Sequence, residues 1–164
     1  MSLQAFCAWL AATPLSQFIQ TTEWIIPAVQ TLHILCIAVV ISAVLVVHLH
    51  TLGLAMRNQS SAVLAARFLP GLWWTLILLL VSGSILIIAE PGRSLPNTMF
   101  QLKMSLLVVA IALTLLYQVP LRKDPAYWEK TRARRTNSVA IAIVSLATWV
   151  GIVFAGRWIA YAIE

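Results

Sequence analysis

Long apolar runs separated by short polar segments dominate the chain. The run 24–56 has no charged residue, and each of the runs 69–89, 98–119 and 138–163 has at most one. A helix rises about 1.5 Å per residue, so about 20 apolar residues cross the roughly 30 Å hydrocarbon core of a bilayer. The pattern therefore predicts four membrane-spanning helices.

The segments between these runs are short and polar. Residues 57–68 are predicted to form a loop with a short amphipathic turn, and Pro120 is expected to end the third span. Segment 2–20 mixes apolar side chains with Ser, Gln and Thr around Pro14, which predicts two short helical pieces on the membrane surface. Short connections place consecutive spans antiparallel. We therefore expect an all-α fold over 1–164: a single integral membrane domain, an up-and-down four-helix bundle with an N-terminal interfacial amphipathic segment.

Composition supports this class and indicates an orientation. The chain is 61% hydrophobic and 10% charged, whereas about 25% of residues in soluble domains are charged. Of the 11 Lys and Arg residues, six lie in segment 121–137. Such an excess marks the cytoplasmic side, where it faces anionic lipid, and we expect no nucleic-acid partner. The distribution predicts a multi-pass protein of a bacterial inner membrane with both termini periplasmic.

All three histidines, His33, His48 and His50, lie in the first span. An imidazole in an apolar span is costly without a partner, so each is a functional candidate. His33 and His48 are 15 residues apart, about 22 Å along a helix and about 60° around it, hence near one face at two levels. This spacing is similar to that of membrane cytochromes b, in which one helix supplies a ligand to each of two stacked haems. His50 lies about 160° from His48, so a regular helix does not present both to one metal.

Two basic residues are predicted at the depth of His33. They are Lys103 in the third span and Arg157 in the fourth. Facing the interior, they would pair haem propionates, or Lys103 would ligate iron; the alternative is that both extend towards the membrane surface. Gly83, with a serine on either side, allows close approach of a flat ring or of another helix. The alternative for the histidines is hydrogen-bonded packing or, for His50, an interfacial position.

Two sequence stretches carry a family resemblance. TLHILCIAVVISAVLV in the first span and FQLKMSLLVVAIAL in the third resemble the HemJ-type protoporphyrinogen oxidases and the membrane domain of copper-resistance protein D. In both, a histidine comes early in the first span and a later span carries an aromatic-x-x-lysine run. The resemblance implies that His33 and Lys103 are associated with a b-type haem. HemJ-type proteins have a Pro-Arg-containing stretch after the first span, where this chain reads VHLHTLGLAMR, so the resemblance implies haem binding more than porphyrinogen oxidation.

These patterns together favour a b-type cytochrome or cytochrome-like subunit with one or two haems b. It would transfer electrons between a quinone and a redox partner, as the membrane subunit of an oxidoreductase. His33 is the expected principal axial ligand and His48 a second-level ligand. Lys103 and Arg157 are expected beside the cofactor, and His50 is a further cofactor-binding candidate. No catalytic residue is assigned, because the chain has no GxSxG, P-loop, HExxH or CxxCH motif.

The second axial ligand is left open because every histidine lies on one span. Two copies of the span could pair in a homodimer, Lys103 could supply the ligand, or the iron could be five-coordinate. Two other interpretations also stay open. One is a copper-handling membrane protein using Cys36, Met99 and Met104, since Cu(I) prefers sulfur ligands. The other is a cofactor-free structural or assembly subunit of a membrane complex.

Overall fold

The computed structural model describes residues 2–159 and 161, which form seven helices. Residues 160 and 162–163, at the end of the predicted fourth span, lie outside the described residues. The helices are α1 Leu3–Ala11, α2 Pro14–Thr21, α3 Ile25–Thr51, α4 Ser61–Ala89, α5 Pro91–Ser94, α6 Thr98–Lys123 and α7 Arg132–Trp158.

Helices α3, α4, α6 and α7 are long and apolar enough to cross a membrane. Their mean hydropathies are 2.7, 2.3, 2.1 and 2.3. No strand occurs in the described part of the chain. The predicted all-α fold with four spans, and hence a multi-pass membrane protein, is confirmed.

The four long helices pack as two hairpins. The α3–α4 and α6–α7 interfaces are the most extensive, while α3 also packs on α7 and α4 touches α6. The four helices therefore form a ring in which α3 and α6 stand diagonally opposite. This is the up-and-down order expected when short connections join antiparallel neighbours.

The apolar core fills only part of the bundle. We call the end with connections 52–60 and 124–131 the basic end, and the other, which carries α1, α2 and α5, the collar end. The core lies on the basic-end side of His33. It comprises Val40, Ala43, Val44, Val47, Ala65, Leu69, Leu72, Ala110, Tyr117, Leu121, Trp128, Trp149 and Ile152.

Helix α3 ends at Thr51, five residues before the predicted end of the first span. The Leu54 N–H donates to the Leu49 carbonyl at 2.9 Å and the Gly53 N–H to the His50 carbonyl at 2.8 Å. These two bonds form a Schellman motif, which requires a residue with positive φ after the helix. Gly53 supplies it, with φ +74°.

Other helix ends differ from the sequence prediction for local reasons. The loop predicted at 57–68 is wrong beyond Ser60, whose hydroxyl accepts from the Val63 N–H and caps a helix that begins at Ser61. The predicted end of the third span at Pro120 is also wrong, because α6 continues to Lys123. A proline in the last turn of a helix removes only one hydrogen bond, so the turn can still close.

The N-terminal segment forms two short helices, α1 and α2, as expected around Pro14. They are bonded to the end of α4 rather than lying apart from the bundle. The Ser16 hydroxyl donates to the Ile88 carbonyl at 2.6 Å, and the Gln20 amide donates to the Ala89 carbonyl at 2.8 Å. The two helices therefore close the collar end above the level of His33.

Candidate functional site

His33 packs against α4 on the collar-end side of the core. Its Nδ1 lies 2.7 Å from the Ser82 hydroxyl oxygen. A methyl group at Gly83 would lie 3.5 Å from His33 Cε1, which is an ordinary van der Waals contact, so the imidazole edge faces α4 at this glycine. The serine and the glycine thus hold the ring from two adjacent positions of one helix.

The contacts of Ser82 favour one tautomer of His33. The Ser82 hydroxyl donates its proton to the Leu78 carbonyl at 2.7 Å. A hydroxyl has one proton, so when Ser82 donates it to the Leu78 carbonyl, the oxygen accepts from His33 and His33 Nδ1 carries the N–H. The Nε2 atom of the neutral ring then keeps its lone pair, and no protein group in the described residues bonds to it. Metal-bound histidines are commonly oriented in this way, with the other ring N–H held by a neighbouring acceptor.

Lys103 is half-buried on α6, diagonally across the bundle from His33. A methyl group at Gly156 of α7 would lie 3.7 Å from Lys103 Nζ. Within the described ranges the ammonium makes no ion pair or hydrogen bond. Counted from the collar end, Lys103 is in the second turn of α6 and His33 in the third turn of α3. The structure therefore brings the two predicted residues to one level of the bundle interior.

Two glycines border this level, one beside each polar side chain. Gly83 of α4 faces His33, and Gly156 of α7 faces Lys103. We call His33, Ser82, Gly83, Lys103 and Gly156 the outer cluster. Sequence analysis singled out Gly83 but missed the partner roles of Ser82 and Gly156. The only signal for Ser82 and Gly156 in the sequence is that each is a small residue predicted at the same depth as a polar residue of another span.

Arg157 is not brought into the outer cluster. Its side chain is exposed, its Nη2 donates to the Tyr161 hydroxyl at 3.0 Å, and its guanidinium carbon lies 5.3 Å from the centre of the Tyr161 ring. The sequence placed this arginine at the right depth. Its position around α7 directs it along the outside of the bundle instead.

His48 lies in the packed core, apart from the outer cluster. It is 4% exposed, and its Nε2 is 2.9 Å from the Ser145 hydroxyl of α7. Its ring meets the Tyr117 ring edge-on at 5.7 Å between centroids. Its Nδ1 has no partner among the described residues. His48 and His33 both point inwards from α3, but they contact different neighbouring helices.

His50 lies at the basic end and holds the connection after α3. Its Nδ1 is 3.2 Å from the Met56 carbonyl, which can only accept, so Nδ1 is the donor. Its Nε2 is 3.4 Å from the Ser61 hydroxyl. Met56 has a φ of +48°, an unusual conformation for a methionine that this bond helps to hold. His50 is not brought near His33.

The side chains alone do not form a multidentate metal site. In residues 2–159 and 161, no group of three or more His, Cys, Asp or Glu could hold a metal ion. A metal ion bound at His33 would therefore need a ligand that brings most of its own donor atoms, as a porphyrin does with four nitrogens.

Comparison with known proteins is informative at the level of the family. Searches of curated proteins and of solved structures gave no match. A family of unknown function, DUF6644, matches residues 6–162. The chain belongs to this family, DUF6644, and the match covers all four long helices.

Proposed function

We propose that the protein is a membrane-embedded b-type haem protein for electron transfer, with His33 Nε2 as the axial ligand. The observation that carries the proposal is the 2.7 Å contact between His33 Nδ1 and the Ser82 hydroxyl. With the Ser82 proton on the Leu78 carbonyl, the ring keeps a free Nε2. Haem iron accepts such an imidazole and supplies one-electron chemistry when bound. Gly83 and Gly156 leave the adjacent helix surfaces flat.

Lys103 is the second residue of the proposed site. It reaches the level of His33 from the diagonal helix, so a planar group between α3 and α6 would have one residue on each side. Lys103 has no acidic partner in the described chain. As a free amine it would take the sixth coordination position, and this is the role we assign to it. As an ammonium it would instead pair a propionate.

Partners and orientation follow the same proposal. Electrons would pass between a quinone from the bilayer and a redox partner. The excess of Lys and Arg at the basic end supports a cytoplasmic position for that end in a bacterial inner membrane, with both termini in the periplasm. A second haem at His48 would require imidazoles from another copy or subunit, because Tyr117 and Ser145 occupy the contacts of His48 within the chain.

The experiment is haem content and spin state of the detergent-purified protein after expression with haem supply. We expect one haem b per chain in the wild type. His33→Ala should remove it, and Lys103→Met should keep haem but change the spin state, because one axial position is lost. Lys123→Met, at the exposed basic end of α6, and His50→Ala are matched controls that should leave the spectrum unchanged.

A folded wild-type protein that is colourless and free of iron after haem loading would refute the proposal. Folding is checked separately by helical circular dichroism. An unchanged spectrum in Lys103→Met together with haem loss in His48→Ala would refute the lysine ligand. That result would favour histidine ligation across a homodimer.

A further inference from the structure

A cavity of about 720 Å³ opens at the basic end, far from the outer cluster. Its volume lies within the range of about 300–1,000 Å³ typical of ligand sites. Residues from the end of α3, the start of α4, both basic-end connections and the start of α7 form its wall. They are His50, Thr51, Leu52, Gly53, Arg57, Asn58, Gln59, Ser60, Ser61, Trp128, Glu129, Arg135 and Ser138.

Two arginines from different segments line this cavity, Arg57 and Arg135. Neither is in an ion pair; the ion pairs in the described chain involve other side chains. The Arg57 Nε donates to the Gly53 carbonyl, which fixes the plane of the guanidinium and leaves its two terminal nitrogens for a ligand. Guanidinium groups recognise phosphate oxygens in pairs, so the two arginines form an anion-binding wall.

The start of α4 adds to this wall. Ser60 caps the helix and Ser61 is its first residue, and both line the cavity. The 29-residue helix directs its positive dipole end and its first N–H groups this way, and phosphate groups are stabilised at such ends. Ser138 adds a hydroxyl from α7.

A carboxylate lines the same cavity without neutralising the arginines. Glu129 Oε1 accepts a hydrogen bond from the Ser61 hydroxyl at 3.4 Å and pairs with neither arginine. Trp128, the preceding residue, also lines the cavity; its ring is buried and stacks on Tyr117, so it shapes the wall beside the carboxylate. The cavity therefore has a cationic and an anionic part that are not paired with each other, as a dipolar ligand requires.

We propose that this cavity binds the headgroup of a phosphoethanolamine lipid. The phosphate contacts Arg57, Arg135 and the first turn of α4, and the ammonium contacts Glu129 beside Trp128. The cavity lies where four apolar helices end, which is the depth of lipid headgroups. A primary ammonium can donate to the carboxylate, whereas a choline group cannot, and a glycerol headgroup has no cation for Glu129. This site is independent of haem binding.

The test is native mass spectrometry of delipidated protein titrated with phosphatidylethanolamine, phosphatidylglycerol and phosphatidylcholine of the same acyl chains. We expect the ethanolamine lipid to bind several-fold more tightly than the other two. Arg57→Gln and Arg135→Gln should each weaken it about ten-fold, the size expected for loss of a charge-assisted hydrogen bond. Glu129→Gln should remove the preference for ethanolamine over glycerol. Arg132→Gln, exposed at the start of α7 but outside the cavity, should change nothing.

The Glu129→Gln variant separates the proposal from a general attraction of basic loops to lipid. Equal or tighter binding of phosphatidylglycerol by the wild type would overturn the proposal, and so would equal effects of Arg132→Gln and Arg57→Gln. The same titration is repeated with soluble phosphoethanolamine. If it binds as tightly as the intact lipid, the ligand is not a lipid. Arg57→Lys keeps the charge and should restore part of the affinity, which shows that lost binding in Arg57→Gln is not misfolding.

Discussion

Loss of one atom, the Ser82 hydroxyl oxygen, removes the hydrogen bond that orients His33. Ser82 is 2% exposed, and its hydroxyl oxygen lies 2.7 Å from His33 Nδ1 and 2.7 Å from the Leu78 carbonyl of its own helix. Ser82→Ala deletes that oxygen and adds nothing, so helix α4 should keep its path. The ring then has no acceptor for its Nδ1 proton and nothing to hold the tautomer in which Nε2 is free.

The expected loss has two parts. Removing a hydrogen bond of this kind costs about 0.5–1.5 kcal/mol of stability. Removing the partner that orients a ligating histidine typically lowers metal affinity about 10–100-fold. At about 1.4 kcal/mol per ten-fold, this corresponds to about 1.4–2.8 kcal/mol of haem binding. We therefore expect a folded variant that binds haem about 10–100-fold more weakly than the wild type.

Nitrogen-15 NMR of histidine-labelled protein reads the tautomer without haem, and a haem titration reads the affinity. In the wild type we expect the His33 proton on Nδ1, and in Ser82→Ala a shift of population towards Nε2–H. Ser84→Ala is the matched control: its hydroxyl also donates to a carbonyl of α4, that of Leu80 at 2.8 Å, but the side chain is exposed and contacts no histidine. If both variants have the wild-type tautomer and affinity, the role assigned to Ser82 is wrong.

Two further predictions concern the fold and its orientation. Gly53→Ala should lower the free energy of unfolding in detergent by about 1 kcal/mol, because an L-residue is strained at φ +74°. Gly71→Ala inside α4 should raise it by about 0.5–1 kcal/mol. If both variants are more stable than the wild type, α3 does not end in a Schellman motif. Reporters inserted between α4 and α6 and between α6 and α7 should report opposite sides of the membrane, and the same side for both would contradict the bundle topology.

The number of spans and the order of the bundle were predictable because they depend on local properties. Apolar runs of sufficient length must cross the bilayer as helices, since backbone groups have no other partners there. Short connections then leave little choice of neighbours. The shared depth of His33 and Lys103 was predictable for the same reason, because depth follows from the count of residues from each helix end.

Helix ends were predicted less well because capping depends on single residues. Ser60 caps α4, which begins eight residues before the predicted span at 69, and the Schellman motif at Gly53 ends α3 early. The capping serine and the glycine are both visible in the sequence, but a prediction from hydrophobicity alone does not use them. Pro120 does not end the third span, because a proline in the final turn of a helix removes only one hydrogen bond.

Only the tertiary structure decided which helix each polar side chain faces. Helices α3 and α6 are apolar on nearly every side, so their sequences contain little information about rotation around the helix axis. Packing turned His33 towards Ser82, His48 towards Ser145 and Lys103 towards Gly156, and it turned Arg157 outwards to Tyr161. Composition and spacing determined a four-span bundle with polar groups at known depths. Which groups meet depends on contacts between helices distant in sequence, which spacing along one helix does not encode.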